Sequence, residues 1–138
     1  MLKSLRTLLG AAERAPRASM PEGTRAYAMG DVHGRADLFA ALAKAIDADD
    51  AARGAADSRV VLLGDLIDRG PDSAGVIRLA REWHARRKLH ILMGNHEEML
   101  LDALESEEVL RHFLRYGGKE TLLSYPVDPA AYTRAELG

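Results

Sequence analysis

Three glycine-bracketed segments constrain this chain more than anything else in it: Gly30-Asp31-Val32-His33-Gly34, Gly64-Asp65-Leu66-Ile67-Asp68-Arg69-Gly70 and Gly94-Asn95-His96-Glu97. Each directly follows a short apolar run. Asp31 and Asp65 are 34 residues apart, and Asn95 follows Asp65 by 30. That is about the length of one strand–helix–strand unit. A chain so spaced delivers aspartates, an asparagine, two histidines and an arginine to one edge of one sheet.

The stretches between the segments fit this reading. Arg25 to Met29 reads as a first strand, and Ala36 to about Asp50 as a helix with Leu38, Phe39, Leu42 and Ile46 at helical spacing. Val60 to Leu63 is an unbroken apolar run, the pattern of a strand covered on both faces. Pro71-Asp72-Ser73 opens a second helix with Val76, Ile77, Ala80 and Trp83 as its apolar stripe. Leu89 to Met93 reads as a third strand, followed by helices from Glu97 and from Glu107 to Tyr116, with Gly117-Gly118 as cap and turn. Lys119-Glu120 reads as a solvated helix face. Alternating strands and helices predict an α/β fold with a mainly parallel sheet and right-handed crossovers, whose ligands gather outside the carboxyl ends of the strands. All three segments fall there.

The residue types point to metal-assisted phosphoryl chemistry. Asp31 and His33 lie two apart in an extended segment and can grip one cation together. Asp65, from the neighbouring strand, can bridge two cations, and Asn95 adds a neutral oxygen to the second. A nitrogen and oxygen set without sulfur suits Mn²⁺, Fe or Zn²⁺, and two such cations clamp a phosphoryl group and activate water. Arg69 offers a planar fork to phosphate oxygens. His96 would act as general acid to the leaving group, with Asp68 orienting it. Glu97 and Glu98 read as first-turn acids favoured by the helix dipole.

Composition narrows the alternatives. With 138 residues the chain is one domain's worth. A net charge of −2 argues against nucleic acid, despite Arg86-Arg87-Lys88 at a helix end. The absence of cysteine rules out thiolate metal sites and cysteine nucleophiles, and is compatible with a cytoplasmic setting. No apolar run approaches the roughly 20 residues needed to span a bilayer. Residues 1–24 read as a short amphipathic helix (Leu2, Leu5, Leu8 and Leu9 on one face) and a linker; residues 25–138 form the domain.

Taken together, the segments resemble the motif set of the calcineurin-like metallophosphoesterases, within them the phosphoprotein phosphatase branch. That branch includes bacterial serine/threonine phosphatases and symmetrical diadenosine tetraphosphatases. The resemblance covers about residues 25–125. It implies an αββα sandwich and a dinuclear centre held by Asp31, His33, Asp65 and Asn95. It also implies phosphate binding by Arg69 and acid catalysis by His96 with Asp68. The substrate would be a phosphorylated protein or a small nucleotide, and the cofactor two divalent cations, Mn²⁺ by preference with Fe or Zn²⁺ as alternatives.

The chain departs from the family in one respect. The family completes its centre with further histidines, and commonly another phosphate arginine, from a C-terminal half not found here. His84 and His90 belong at the opposite edge of the sheet, and His112 lies on a later helix. Asp128-Pro129-Ala130-Ala131 starts a helix shortly before Gly138. These observations predict the N-terminal half of a phosphatase domain, whose second cation keeps only Asp65 and Asn95. Its uncovered apolar face would favour self-association. The alternative is a non-catalytic metal- or phosphate-binding or interaction module.

Overall fold

The computed structural model describes residues 19–126; the expected N-terminal amphipathic helix and the helix start at Asp128 lie outside them. Three strands, β1 (Thr24–Met29), β2 (Asp57–Leu62) and β3 (Leu89–Ile91), form one sheet in the order β1-β2-β3, with both pairs parallel. Helix α1 (Ala36–Ala52) links β1 to β2, and α2 (Ser73–His84) links β2 to β3. Then follow α3 (Asn95–Ala103), α4 (Glu107–Phe113), a wide π-type turn over Leu114–Gly118, and α5 (Lys119–Ser124). Met29 is in register with Leu62, and Leu62 with Ile91. The strands therefore end level, and the three glycine-bracketed segments leave from the same edge, as the spacing predicts.

The core forms where strand alternation meets the helical stripes. Met29, Val60, Leu62 and Leu89 pack against Phe39 and Ile46 of α1 and Val76, Ala80 and Trp83 of α2. Asp72 caps α2 by accepting the Gly75 amide at 2.8 Å. The Trp83 ring meets Phe39 edge-on at 5.9 Å, and its Nε1 donates to Asp47 at 3.2 Å. A second small core of Ile67, Ala103 and Phe113 seats α3 and α4 against the β2 loop. Among the described residues no helix is long and apolar enough to cross a membrane.

Three expectations need correcting. The apolar run Val60 to Leu63 is covered on one face only: Val60 and Leu62 are fully buried, whereas Leu63 is 51 % exposed. With strand order β1-β2-β3, two successive right-handed crossovers place α1 and α2 on the same side. Among the described residues no helix covers the opposite side, where Ala28, Leu63 and Leu92 are exposed. On α1, Phe39 and Ile46 are buried as expected, but Leu38 and Leu42 line an open groove beside Met29, Val32 and Arg35. One sheet face offers a helix only a narrow strip to bury. Finally, β3 stops at Ile91 rather than Met93, with Leu92 still donating to the Leu62 carbonyl at 2.9 Å.

At the edge of the sheet away from the loops, Asp50 ties α1 to two strands and to the turn before β3. It accepts from Ser58 Oγ and Arg25 Nη1, both at 2.5 Å, and from Arg87 Nη1 at 2.9 Å. These partners lower its carboxyl from 3.8 to about 2, the Ser58 hydroxyl most strongly, with burial opposing and the Arg25 and Arg87 guanidinium groups adding to the drop. A carboxyl with a depressed folded value contributes stability above its unfolded value and loses it as pH falls through the folded one. The thermal midpoint is therefore expected to fall between about pH 3.8 and 2. Asp50→Asn, followed by circular dichroism across that window, should remove part of the slope; an unchanged slope would count against Asp50 as a contributor.

Candidate active site

The first two segments are laced together by their main chains. The amides of Val32 and His33 both donate to the Asp65 carbonyl, at 3.0 and 2.9 Å, and the Gly34 amide donates to Leu66 at 2.9 Å. Close approach between these loops makes glycine necessary, most clearly at Gly70 and Gly94. A Cβ on Gly70 would strike the His33 carbonyl, and one on Gly94 would strike the Asp65 amide and carboxylate.

Among the described residues, the non-glycine positions with left-handed backbone are His33 (φ 44°), Asp65 (φ 52°), Asp68 (φ 71°) and Arg69 (φ 67°). Each costs about 1–2 kcal/mol. All four belong to the predicted site, where local strain is held in place by the contacts around it.

Those contacts converge on one carboxylate. Glu97, the third residue of α3, accepts the amides of Asp65 (2.8 Å), Leu66 (2.8 Å), Ile67 (3.3 Å) and Gly94 (2.9 Å). The same helix start donates the His96 amide to Asp65 Oδ1 at 3.1 Å. Glu97 thus shapes the Asp65 turn, a role that the reading of it as a simple first-turn acid missed. Its position three residues after a glycine turn is the available signal.

Asp31, His33 and Asp65 offer ligand atoms that all lie within 4.8 Å of one another. His33 Nδ1 lies 2.8 Å from the Ile67 carbonyl, so it carries the proton and donates, leaving Nε2 as the acceptor nitrogen. That nitrogen is 3.7 Å from Asp31 Oδ2. Two carboxylates and an imidazole with an unprotonated nitrogen suit a divalent cation. Asn95 opens α3 beside this group and is exposed.

His96 and Asp68 are also brought together. His96 Nδ1 donates to Asp68 Oδ2 at 2.7 Å, both residues being buried. Arg69 is exposed, and its fork donates to His33 Nε2 at 3.0 Å and His96 Nε2 at 2.9 Å, joining the Asp31–His33–Asp65 group to the His96–Asp68 pair. The two imidazoles meet edge-on at 4.8 Å. His84 ends α2, His90 lies within β3, and His112 stacks on Tyr116 at 4.3 Å; none of these joins the Asp31–His33–Asp65 group.

The sequence reading also missed the buried hydroxyls of Ser73 and Thr121, which sit against Asp68. Nothing local in the sequence marks Thr121, which lies 53 residues from its partner.

Comparison with known proteins bears on this arrangement. A family model described as calcineurin-like phosphoesterase matches residues 24–131. Serine/threonine-protein phosphatase 1 of Salmonella typhimurium is 50 % identical over 50 residues, 36 % of this chain and 21 % of that protein. A symmetrical bis(5'-nucleosyl)-tetraphosphatase of Nitrosococcus oceani is 34 % identical over 120 residues, 81 % of this chain and 40 % of the relative. Its counterpart from Cellvibrio japonicus is 37 % identical over 75 residues, 54 % of this chain and 25 % of the relative. The chain therefore spans between a fifth and two fifths of the length of these relatives. No solved structure matches it.

Proposed function

The chain belongs to the calcineurin-like phosphoesterase family, and from that premise we propose that it is a metal-dependent phosphoesterase acting on phosphate esters of proteins or small nucleotides. The relatives named as a protein phosphatase and as nucleosyl tetraphosphatases support both substrate classes. The observation that carries the proposal is the contact of one arginine fork with both the cation group and the acid pair.

Asp31, His33 and Asp65 would hold one divalent cation, with Asp65 and Asn95 contributing to a second, and such ions (Mn²⁺ by preference, Fe or Zn²⁺ otherwise) supply charge neutralisation and activation of water. Arg69 lies exposed at the rim with two donors in one plane, the geometry that grips two phosphate oxygens. Asp68, by accepting the His96 Nδ1 proton, fixes the ring so that Nε2 points outward toward Arg69. With the Arg69 donors turned to phosphate oxygens and a proton taken up at the freed Nε2, His96 would hand that proton to the departing oxygen as the phosphorus–oxygen bond breaks.

The alternative, a non-catalytic metal- or phosphate-binding or interaction module, draws on the thinner ligand set of the second cation. Titrating Mn²⁺ into the chain while following p-nitrophenyl phosphate hydrolysis separates the two readings. Two ions bound and turnover are expected, with Asp65→Asn lowering the rate roughly a hundredfold or more. One weakly bound ion, and no turnover above that variant, would favour the module.

A further inference from the structure

Helix α5 lies beyond all three glycine-bracketed segments, yet it backs the site from behind. The Arg69 amide donates to the Gly117 carbonyl at 3.0 Å in the turn that precedes α5. Within α5, Ser124 Oγ accepts the Ala74 amide at 3.0 Å and donates to the Thr121 carbonyl at 2.7 Å. One turn earlier, the Thr121 side chain enters the space behind Asp68.

There the polar atoms are fully used. Thr121 Oγ1 has one proton, which it donates to Asp68 Oδ1 at 2.6 Å. Its two acceptor positions take the Asp68 amide at 2.8 Å and the Ser73 hydroxyl at 2.9 Å. The proton on the Ser73 hydroxyl is directed to Thr121 because Thr121 has already spent its own. Asp68, Ser73, Thr121 and His96 are all buried, so water has no ready way to replace a missing partner. Among the described residues Asp68 Oδ1 accepts no other hydrogen bond, while Oδ2 is taken by His96. A carboxylate pinned at one oxygen by a β-branched alcohol of restricted χ1 has a single orientation to offer the imidazole.

We propose that Thr121 is a positioning residue of the acid pair: its hydroxyl fixes the Asp68 carboxylate, and through it the ring plane of His96. The proposal rests on the reading of His96 as the acid. A merely structural threonine would matter equally to every substrate and would leave the His96 proton where it is.

The test compares Thr121→Val, which keeps the shape and removes the hydroxyl, with Thr121→Ser, which keeps the hydroxyl. The first readout is the downfield proton resonance of His96 Nδ1–H in metal-free protein, assigned by its loss in His96→Asn. It is expected to shift or broaden in the Val variant and to stay in place in the Ser variant. The second readout is turnover with Mn²⁺. The Val variant is expected to lose roughly 10–100-fold on an alkyl phosphate, whose poor leaving group needs a proton, and less than about threefold on p-nitrophenyl phosphate, with Ser restoring the rate.

An unmoved resonance in the folded Val variant, or equal losses on both substrates, overturns the proposal. Absence of wild-type turnover would count against the phosphoesterase reading instead, and the resonance would still decide the role of Thr121. Should the Val variant not fold, Ser73→Ala loosens the same hydroxyl from its other side. A smaller shift in the same direction is expected there, and no shift overturns the proposal.

Discussion

Glu97→Ala is expected to lower the thermal midpoint by roughly 10–20 °C and to weaken Mn²⁺ binding at least tenfold. The carboxylate accepts four backbone amides from two loops. Bonds to a charged acceptor are worth about 1.5–3 kcal/mol each. The site is only half-buried, and water would take over some of these donors, so the net loss is placed near 3 kcal/mol rather than at the sum. For a domain of this size, between the small and the large classes, each kcal/mol moves the midpoint by roughly 3–6 °C. Metal binding falls with it because Asp65 holds a left-handed backbone that the Glu97 contacts stabilise. Glu97→Gln should be nearly as damaging, since its NH₂ would face amides that are themselves donors. Melting by circular dichroism and calorimetric Mn²⁺ titration check both effects; a midpoint within about 2 °C of wild type would refute the cradle.

His96→Asn is expected to cost about 10²–10⁴ in turnover of an alkyl phosphate, the usual contribution of a general acid. On p-nitrophenyl phosphate the loss should stay below about tenfold, because p-nitrophenolate leaves without protonation. The buried ring is held by Asp68 and contacted by Arg69, and an asparagine of similar length can keep one of these contacts. Adding Asp68→Asn to that variant should therefore do little more, since residues acting as a unit are not additive. Steady-state rates on both substrates decide the matter. Equal losses on the two would remove His96 from the acid role and leave it a structural histidine.

The parallel strands and the convergence of the three segments were legible because both follow from local signals: apolar runs, and glycines with acids directly after them. Even the pairing of His96 with Asp68, 28 residues apart, could be anticipated from their shared edge. What could not be read was anything set by packing at a distance. Val60 to Leu63 looks the same whether helices cover one face of the sheet or two, and the direction of the crossovers decides that. Glu97 shares its first-turn setting with Glu98, Glu107 and Glu108, and only its spacing from Gly94 sets it apart. Thr121 carries no local mark at all, and its meaning comes only from the turn at Gly117-Gly118 that brings α5 back behind the β2 loop. The left-handed angles at His33, Asp65, Asp68 and Arg69 are likewise imposed from outside the residues that bear them.

The sequence separation of these props sets a timetable for the growing chain. Asp65 is braced by a residue made 32 positions later, and Asp68 by one made 53 positions later. At about 5–20 residues per second, the ribosome leaves Asp68 without Thr121 for roughly 3–10 s. Over that interval β1, α1 and β2 have all emerged and can pair, while Asp68 still lacks its partner from α5. The support of Asp68 is thus completed only after the sheet has been made, and a chain released before α5 would keep its sheet and lose the contact that orients Asp68 against His96.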